Sequence, residues 1–308
     1  MTALPASAGR PAPAAVPGRL RAFLNVVMFE HSIFALPFAY TASLTAMFLS
    51  EGRRIEWDTL GLVTAAMVGL RSFAMAANRI IDREIDARNP RTRGREMVTG
   101  ALSVRAGWIG AALTLALFLG AAALLNPLCL VLAPVAVVPM VVYPYGKRFT
   151  DFPHAILGLA QAAGPVGAWL AVTGTWSWDA VLLGLAVGIW IGGFDLIYAC
   201  QDIATDRETG VRSFPARFGI ATSLRTARVC HAVTMALLVW YAAVTGAGPF
   251  LWVGLAVVAG AFVYEHSLVK ADDLSRLNRA FFTVNGFVGI TLFVFALTDL
   301  LARGLIVF

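Results

Sequence analysis

Charged side chains are scarce in this chain. Asp, Glu, Lys and Arg make up 14% of its 308 residues, against 59% hydrophobic, and mean hydropathy is +0.75. So little charge cannot cover the surface of an ordinary soluble domain of this length. Cysteine is scarcer still. Cys129, Cys200 and Cys230 all fall in or beside apolar runs, with no metal-ligand spacing and no disulfide framework. They read as residues packed between helices. The N-terminal residues 1–20, rich in Ala and Pro, lack the apolar core of a signal peptide and read as a disordered tail.

What is plentiful is long apolar runs of roughly 20 residues, the length that crosses a bilayer as a helix. Nine such spans can be marked, at about 23–49, 59–82, 105–125, 128–146, 154–173, 179–201, 222–245, 249–268 and 277–301. The expected fold is an all-α integral membrane protein, with residues 21–308 forming one transmembrane domain. Very short connections, such as Asn126-Pro127 and Gly246 to Gly248, make those neighbours antiparallel.

The net charge of +6 does not imply nucleic acid, because the cations cluster in particular loops. With the N-terminus in the cytoplasm, all but Arg53, Arg54, Arg71 and Arg303 of the 24 Lys and Arg residues fall on the cytoplasmic side. Trp57, Trp176 and Trp178 then mark the outer interface. The bilayer is the expected surrounding, and no obligate protein partner is evident.

Two stretches carry the chemistry. In the first, Asn78, Asp82 and Asp86 follow one another at intervals of four, so on a helix they climb one face. Arg71, seven residues earlier, shares that face about 10 Å deeper. In the second, Asp195, Tyr198, Asp202 and Asp206 are spaced three, four and four. Asp82 and Asp202 are 120 residues apart, as are Asp86 and Asp206. Matched ladders suggest a duplicated unit, with repeats at about 21–150 and 151–270 and an extra helix at 277–301.

Carboxylates within a membrane are costly and commonly functional. Several converging on one cavity repel unless cations lie between them, and Asp and Asn oxygens suit Mg²⁺, which completes its shell with substrate phosphates. Two facing ladders would then hold Mg²⁺ and a diphosphate, with loop arginines, Lys147 and Arg148 balancing the remaining charge. A diphosphate so held is a good leaving group, and apolar space between the helices would take an allylic chain. The bland alternative is that each ladder is a solvated helix end whose Asp residues pair with neighbouring Arg.

At these residues the sequence resembles the UbiA superfamily of intramembrane aromatic prenyltransferases. The resemblance lies in NxxxDxxxD (Asn78, Asp82, Asp86), in DxxYxxxDxxxD (Asp195, Tyr198, Asp202, Asp206) and in YxxxK (Tyr143, Lys147). It extends along the whole chain and implies nine helices as two four-helix repeats plus one. It implies that Asn78, Asp82, Asp86, Asp202 and Asp206 bind Mg²⁺ and through it a polyprenyl diphosphate. Lys147 would touch the diphosphate and Tyr143 would line the chamber, with Asp82, Asp202, Lys147 and Tyr143 as the catalytic group. Asp195 and Tyr198 would position the acceptor or the reactive end of the chain, and Arg148 is either a second diphosphate contact or a loop cation.

An Arg at the place of Arg71 also occurs in 4-hydroxybenzoate-type members, where it is a candidate for the acceptor's carboxylate; a structural pair with Glu30 is the alternative. The first span, FEHSIFALPFAY, departs from that type by placing His31 near an expected Arg. It is more similar to a branch linked to the futalosine route to menaquinone, whose acceptor is 1,4-dihydroxy-6-naphthoate. His31 is a substrate contact or a packing residue. Asn285 reads as an interhelical hydrogen-bonding residue, Glu265 and His266 as interfacial, and Asp299 as lying near the outer boundary. A secondary transporter is the rival from another class, since transporters also carry repeats and buried acids; a lipid phosphotransferase of the CDP-alcohol type lacks its acidic signature here.

Overall fold

A computed structural model describes residues 18–27 and 36–307. Among the described residues all regular structure is helical, apart from one backbone bridge between Arg54 and Ile306. A short helix α1 (Arg19–Val26) precedes α2 (Leu36–Leu49), which is apolar and 14 residues long. Then follow α3 (Trp57–Ile81), the short α4 (Arg83–Arg88) and α5 (Glu96–Thr99), α6 (Val104–Leu125), α7 (Pro127–Phe149) and α8 (Pro153–Thr173). The remainder comprises α9 (Trp178–Ala199), α10 (Ile203–Thr209), α11 (Phe214–Val244), α12 (Pro249–Leu268) and α13 (Asn285–Ala302).

Among the described residues eight helices are long and apolar enough to cross a membrane, with α10 prolonging α9 and a π-turn at Arg279–Val284 leading into α13. Of the span expected at 23–49, the described parts are the end of α1 and the whole of α2. Residues 1–17 of the expected tail, together with Glu30 and His31, lie outside the described residues. Pro134, Pro139 and Pro144 stand inside α7 without ending it, as neighbouring helices allow in a bilayer.

Helix ends explain the turns. Ser103, Asn126 and Ser213 accept backbone N–H groups at the starts of α6, α7 and α11. Asp299, buried near the C-terminus, accepts from the N–H groups of Gly248, Phe250 and Leu251 and so caps α12 from another helix. The helices meet over small residues, which let backbones approach. A methyl on Gly69 of α3 would stand 2.8 Å from the Phe118 nitrogen of α6, and one on Gly158 of α8 would stand 2.5 Å from the Gly188 oxygen of α9.

Both acid ladders cross a break in their helix. Asp82 (φ −89°, ψ 5°) divides α3 from α4, and the turn Cys200–Asp202 divides α9 from α10. The expected unbroken column is therefore two segments in each copy, the middle Asp standing at the joint. Asp82 N still donates to Asn78 O at 2.9 Å and Asp86 N to Asp82 O at 2.7 Å, so the one-face rise survives the break.

Glu265 and His266 are not interfacial residues of one kind. Glu265 is fully buried between helices, 3.6 Å from His231 Nδ1, and its Oε1 accepts from Asn285 Nδ2, which ties α12 to α13. Asn285 Oδ1 accepts from Trp190 Nε1 of α9, and its Nδ2 also donates to the Ala280 and Phe281 carbonyls of the π-turn. Isolated charges and carbonyls are expensive in this setting, so the polar groups are gathered rather than spread.

Candidate active site

A cavity of about 560 Å³ opens between α3, α7, α8 and α9 toward the end of the bundle that carries the basic loops. From the first half it is lined by Arg71, Asn78 and Asp86, and from α7 by Tyr143 and Lys147. From the second half it is lined by Asp195, Tyr198, Asp202 and Asp206. Nine of the residues singled out in the sequence thus meet at one chamber. Asp82 and Arg148 do not line it: Asp82 is fully buried just behind the wall, where Lys147 and Arg148 draw its carboxylate inward.

The carboxylates are held by cations of the protein itself. Lys147 Nζ lies 2.6 Å from Asp82 Oδ2, and Arg148 Nη1 lies 3.3 Å from Oδ1. Arg148 also donates to the Pro144 and Ile81 carbonyls, which makes it a tie between α7 and the end of α3. Asp86 pairs with Arg95. Asp206 Oδ2 accepts from Ser213 Oγ at 2.7 Å.

Asp202 is held from the other half. Asn89 Nδ2 donates to its Oδ1 at 3.0 Å, and Arg91 donates to both of its oxygens. Burial pulls the Arg91 guanidinium down, but Asp202 more than offsets this and holds it above its usual pKa. The pairing with local Arg that an inert helix end would show is therefore present at Asp86, whereas Asp202 joins the two ladders across a shared chamber.

Deeper in the cavity the wall changes character. Trp190, Phe194 and Tyr198 recur at intervals of four on α9, and Phe281 of the π-turn stacks on Tyr198 with centroids 3.9 Å apart. Phe281 also meets Phe194 edge-on. On the α3 side Arg71 lines this region, and its Nε is buried with no hydrogen-bond partner among the described residues. A cation placed there without a counter-charge is a standing cost. Tyr143 is joined to the site by the Lys147 ammonium, 5.6 Å from its ring centre.

Sequence reasoning missed His154, the second residue of α8. It is 6% exposed, lines the chamber, and its Nδ1 lies 2.6 Å from Asp195 Oδ2. Only its position at the start of a span, beside Pro153, could have marked it. Asn89 also escaped notice, since an Asn before Pro reads as a loop signal.

Oxygen donors of Asn78, Asp86, Asn89, Asp202 and Asp206 border one chamber, with Asp82 buried behind its wall; this set of carboxylates and amides fits a hard divalent cation such as Mg²⁺. No three acidic, His or Cys side chains among the described residues stand close enough to form a closed protein-only site.

Residues 35–287 match the UbiA prenyltransferase family. The chain is 32% identical over 292 residues to a 4-hydroxybenzoate octaprenyltransferase of Aromatoleum aromaticum, covering 94% of this chain and 98% of that one. To the 4-hydroxybenzoate octaprenyltransferase of Pseudomonas aeruginosa (strain UCBPP-PA14) it is 31% identical, over 80% and 83% of the two chains. An apo UbiA homolog from Aeropyrum pernix K1 superimposes with a TM-score of 0.80 at 33% identity, covering 88% of this chain and 98% of that one. A UbiA homolog from Archaeoglobus fulgidus bound to GPP and Mg²⁺ shares the fold, with a TM-score of 0.66 at 19% identity over 91% and 99% of the chains.

Proposed function

Because the chain belongs to the UbiA prenyltransferase family, we propose that it transfers a polyprenyl group from a polyprenyl diphosphate to a carboxylate-bearing aromatic quinone precursor. The acceptor is 1,4-dihydroxy-6-naphthoate or 4-hydroxybenzoate, in menaquinone or ubiquinone biosynthesis, and the reaction depends on Mg²⁺. One observation carries this reading: residues of two acidic ladders, an aromatic wall and Arg71, whose buried Nε has no hydrogen-bond partner among the described residues, border a single chamber.

Asn78, Asp82, Asp86, Asp202 and Asp206 would hold Mg²⁺, which when bound stabilises the charge developing on the departing diphosphate oxygen. Lys147, Arg91 and Arg95 begin on carboxylates and turn to phosphate oxygens as the diphosphate arrives. Each exchanges one anionic partner for another, so little charge is left bare. Tyr198, Phe194 and Phe281 face the allylic end of the chain, where ring faces favour a developing cation and the apolar surroundings keep water away. Arg71 takes the carboxylate of the acceptor and fixes which ring edge meets the chain.

The duplicated halves face each other, with the chamber at their basic end. That end lies in the cytoplasm, with the N-terminus, by the distribution of Lys and Arg. A transporter would set its acids near the midplane, whereas here they stand at helix breaks near one end. The test is to supply purified protein with a polyprenyl diphosphate, Mg²⁺ and both aromatic acids in competition, and to follow products by mass spectrometry. Prenylated acid and released diphosphate are expected; no product with either acid would refute the reading.

A further inference from the structure

His154 is used by none of the steps above, yet it stands in the chamber wall with Asp195, its side chain 8% exposed and that of Asp195 14%. A carboxylate can only accept at neutral pH, so the 2.6 Å contact puts the Nδ1 proton of His154 on the side of Asp195. In the neutral imidazole that leaves the lone pair on Nε2, which is buried and has no hydrogen-bond partner among the described residues. A buried nitrogen left unpaired is costly to the fold. A base oriented by a carboxylate, with its working nitrogen unsatisfied beside a substrate chamber, is the arrangement that proton abstraction requires.

Its height in the bundle fits a particular proton. α3 and α8 run in opposite directions, and Gly164 of α8 sits against Met67 of α3. Arg71 is one turn nearer the basic end than Met67, so it is level with Ala160, which borders the same chamber. His154 lies six residues further toward that end, about 9 Å at 1.5 Å per residue. An aromatic acid with its carboxylate on Arg71 points its opposite edge toward His154 and the acidic ladders. In hydroxylated aromatic acids that edge carries the hydroxyl group, beside the carbon that is prenylated.

We infer that His154 is a catalytic base for the ring hydroxyl of the acceptor, with Asp195 as its positioning residue. The inference rests on the prenyl-transfer reading and adds the residue that handles the proton. His154 Nε2 takes the hydroxyl proton while the adjacent ring carbon bonds to C1 of the prenyl chain. The C1–O bond breaks and its electron pair leaves on diphosphate. The imidazolium then returns its proton to the oxygen as the ring C–H proton passes to the released diphosphate and aromaticity is restored. One C–C bond is made, one C–O and one C–H bond are broken, and one proton leaves with diphosphate.

The test is His154→Gln, which keeps a hydrogen-bonding side chain but cannot accept the proton. The full-length protein and the variant are assayed with 4-hydroxybenzoate, and with a fluorinated hydroxybenzoate whose hydroxyl is already ionised at the assay pH. With 4-hydroxybenzoate kcat is expected to fall by about 100-fold or more, while KM for the prenyl diphosphate stays within about twofold. With the ionised acceptor the two proteins are expected to differ by less than about fivefold, which also shows that the variant is folded. An equal loss with both acceptors, or no loss with either, overturns the role of His154. No transfer by the wild-type protein instead refutes the prenyltransferase reading itself, so the two failures are told apart.

Discussion

Arg91 grips Asp202 through both carboxylate oxygens, Nε to Oδ1 at 3.1 Å and Nη2 to Oδ2 at 2.7 Å. The two residues come from opposite halves of the chain, so the contact closes one ladder onto the other. It also sets a competition, because a metal ion or a phosphate must displace one partner of the pair. Arg91→Gln removes a proposed phosphate ligand and frees Asp202 at once. The expected outcome is a KM for the prenyl diphosphate raised about tenfold, with half-maximal activity at lower Mg²⁺. Titrating Mg²⁺ and donor independently would check it; a higher Mg²⁺ requirement in the variant contradicts the competition.

Asp82 and Asp202 occupy equivalent places in the two ladders but not equivalent surroundings. Asp82 is fully enclosed between Lys147 and Arg148, whereas the Asp202 side chain keeps 15% of its surface. Neutralising a buried partner leaves two cations uncompensated, a cost of several kcal/mol when burial is complete and less here, where both cations retain some exposure. Asp82→Asn is therefore expected to lose turnover and also to melt several degrees lower in detergent. Asp202→Asn is expected to lose turnover by at least about 100-fold with Tm changed by less than about 2 °C. Thermal unfolding and activity measured on the same preparations separate the two; equal melting temperatures would mean that Asp82 is no structural tie.

At the basic end, Arg212 Nε and Nη2 lie 2.8 and 3.1 Å from the oxygens of Asp151, joining the α7–α8 connection to the segment before α11. The hydrogen bonds from Arg212 hold the Asp151 carboxyl below its usual pKa. A depressed carboxylate stabilises the fold at pH values above its ordinary, unfolded pKa, and that contribution disappears as pH falls through the folded one. Asp151→Asn should accordingly lower Tm slightly at neutral pH, and the gap should close as pH drops below the carboxylate range. A gap that persists in acid would assign the effect to something other than this ion pair.

Much of this site was legible because its spacing is local. Asn78, Asp82 and Asp86 share a face through i to i+4 geometry alone, and the 120-residue offset to Asp202 and Asp206 placed the second ladder. Long apolar runs and short turns likewise gave the helices. The partners of the carboxylates were not legible, because pairs such as Asn89 with Asp202 and Lys147 with Asp82 depend on how helices pack, which hydropathy does not encode. The breaks at Asp82 and Cys200–Asp202 escaped for a related reason. No Pro or Gly marks either one, so the periodic pattern runs through them unchanged. Glu265 was misplaced because a Glu near the end of a span reads as interfacial until a neighbouring Asn285 and His231 are found to enclose it.

Arg71 offers the sharpest test of acceptor choice. Its Nε is buried without a partner among the described residues on the wall of the chamber, about 10 Å deeper than Asn78 on the same helix face. A carboxylate meeting it forms a charge-assisted pair in a region that excludes water, worth on the order of 1.5–3 kcal/mol. Arg71→Ala should thus raise KM for an aromatic acid by roughly 10- to 150-fold, because the contact is made in the ground state and the transition state alike. Arg71→Lys should recover part of the loss, since an ammonium supplies charge but not the two-pronged geometry. An acceptor with the carboxylate replaced by a neutral amide should be turned over slowly and equally by all three proteins. Steady-state kinetics with the acid and the amide would decide the matter: a parallel loss on both acceptors would mean that Arg71 supports the helix packing and not the substrate.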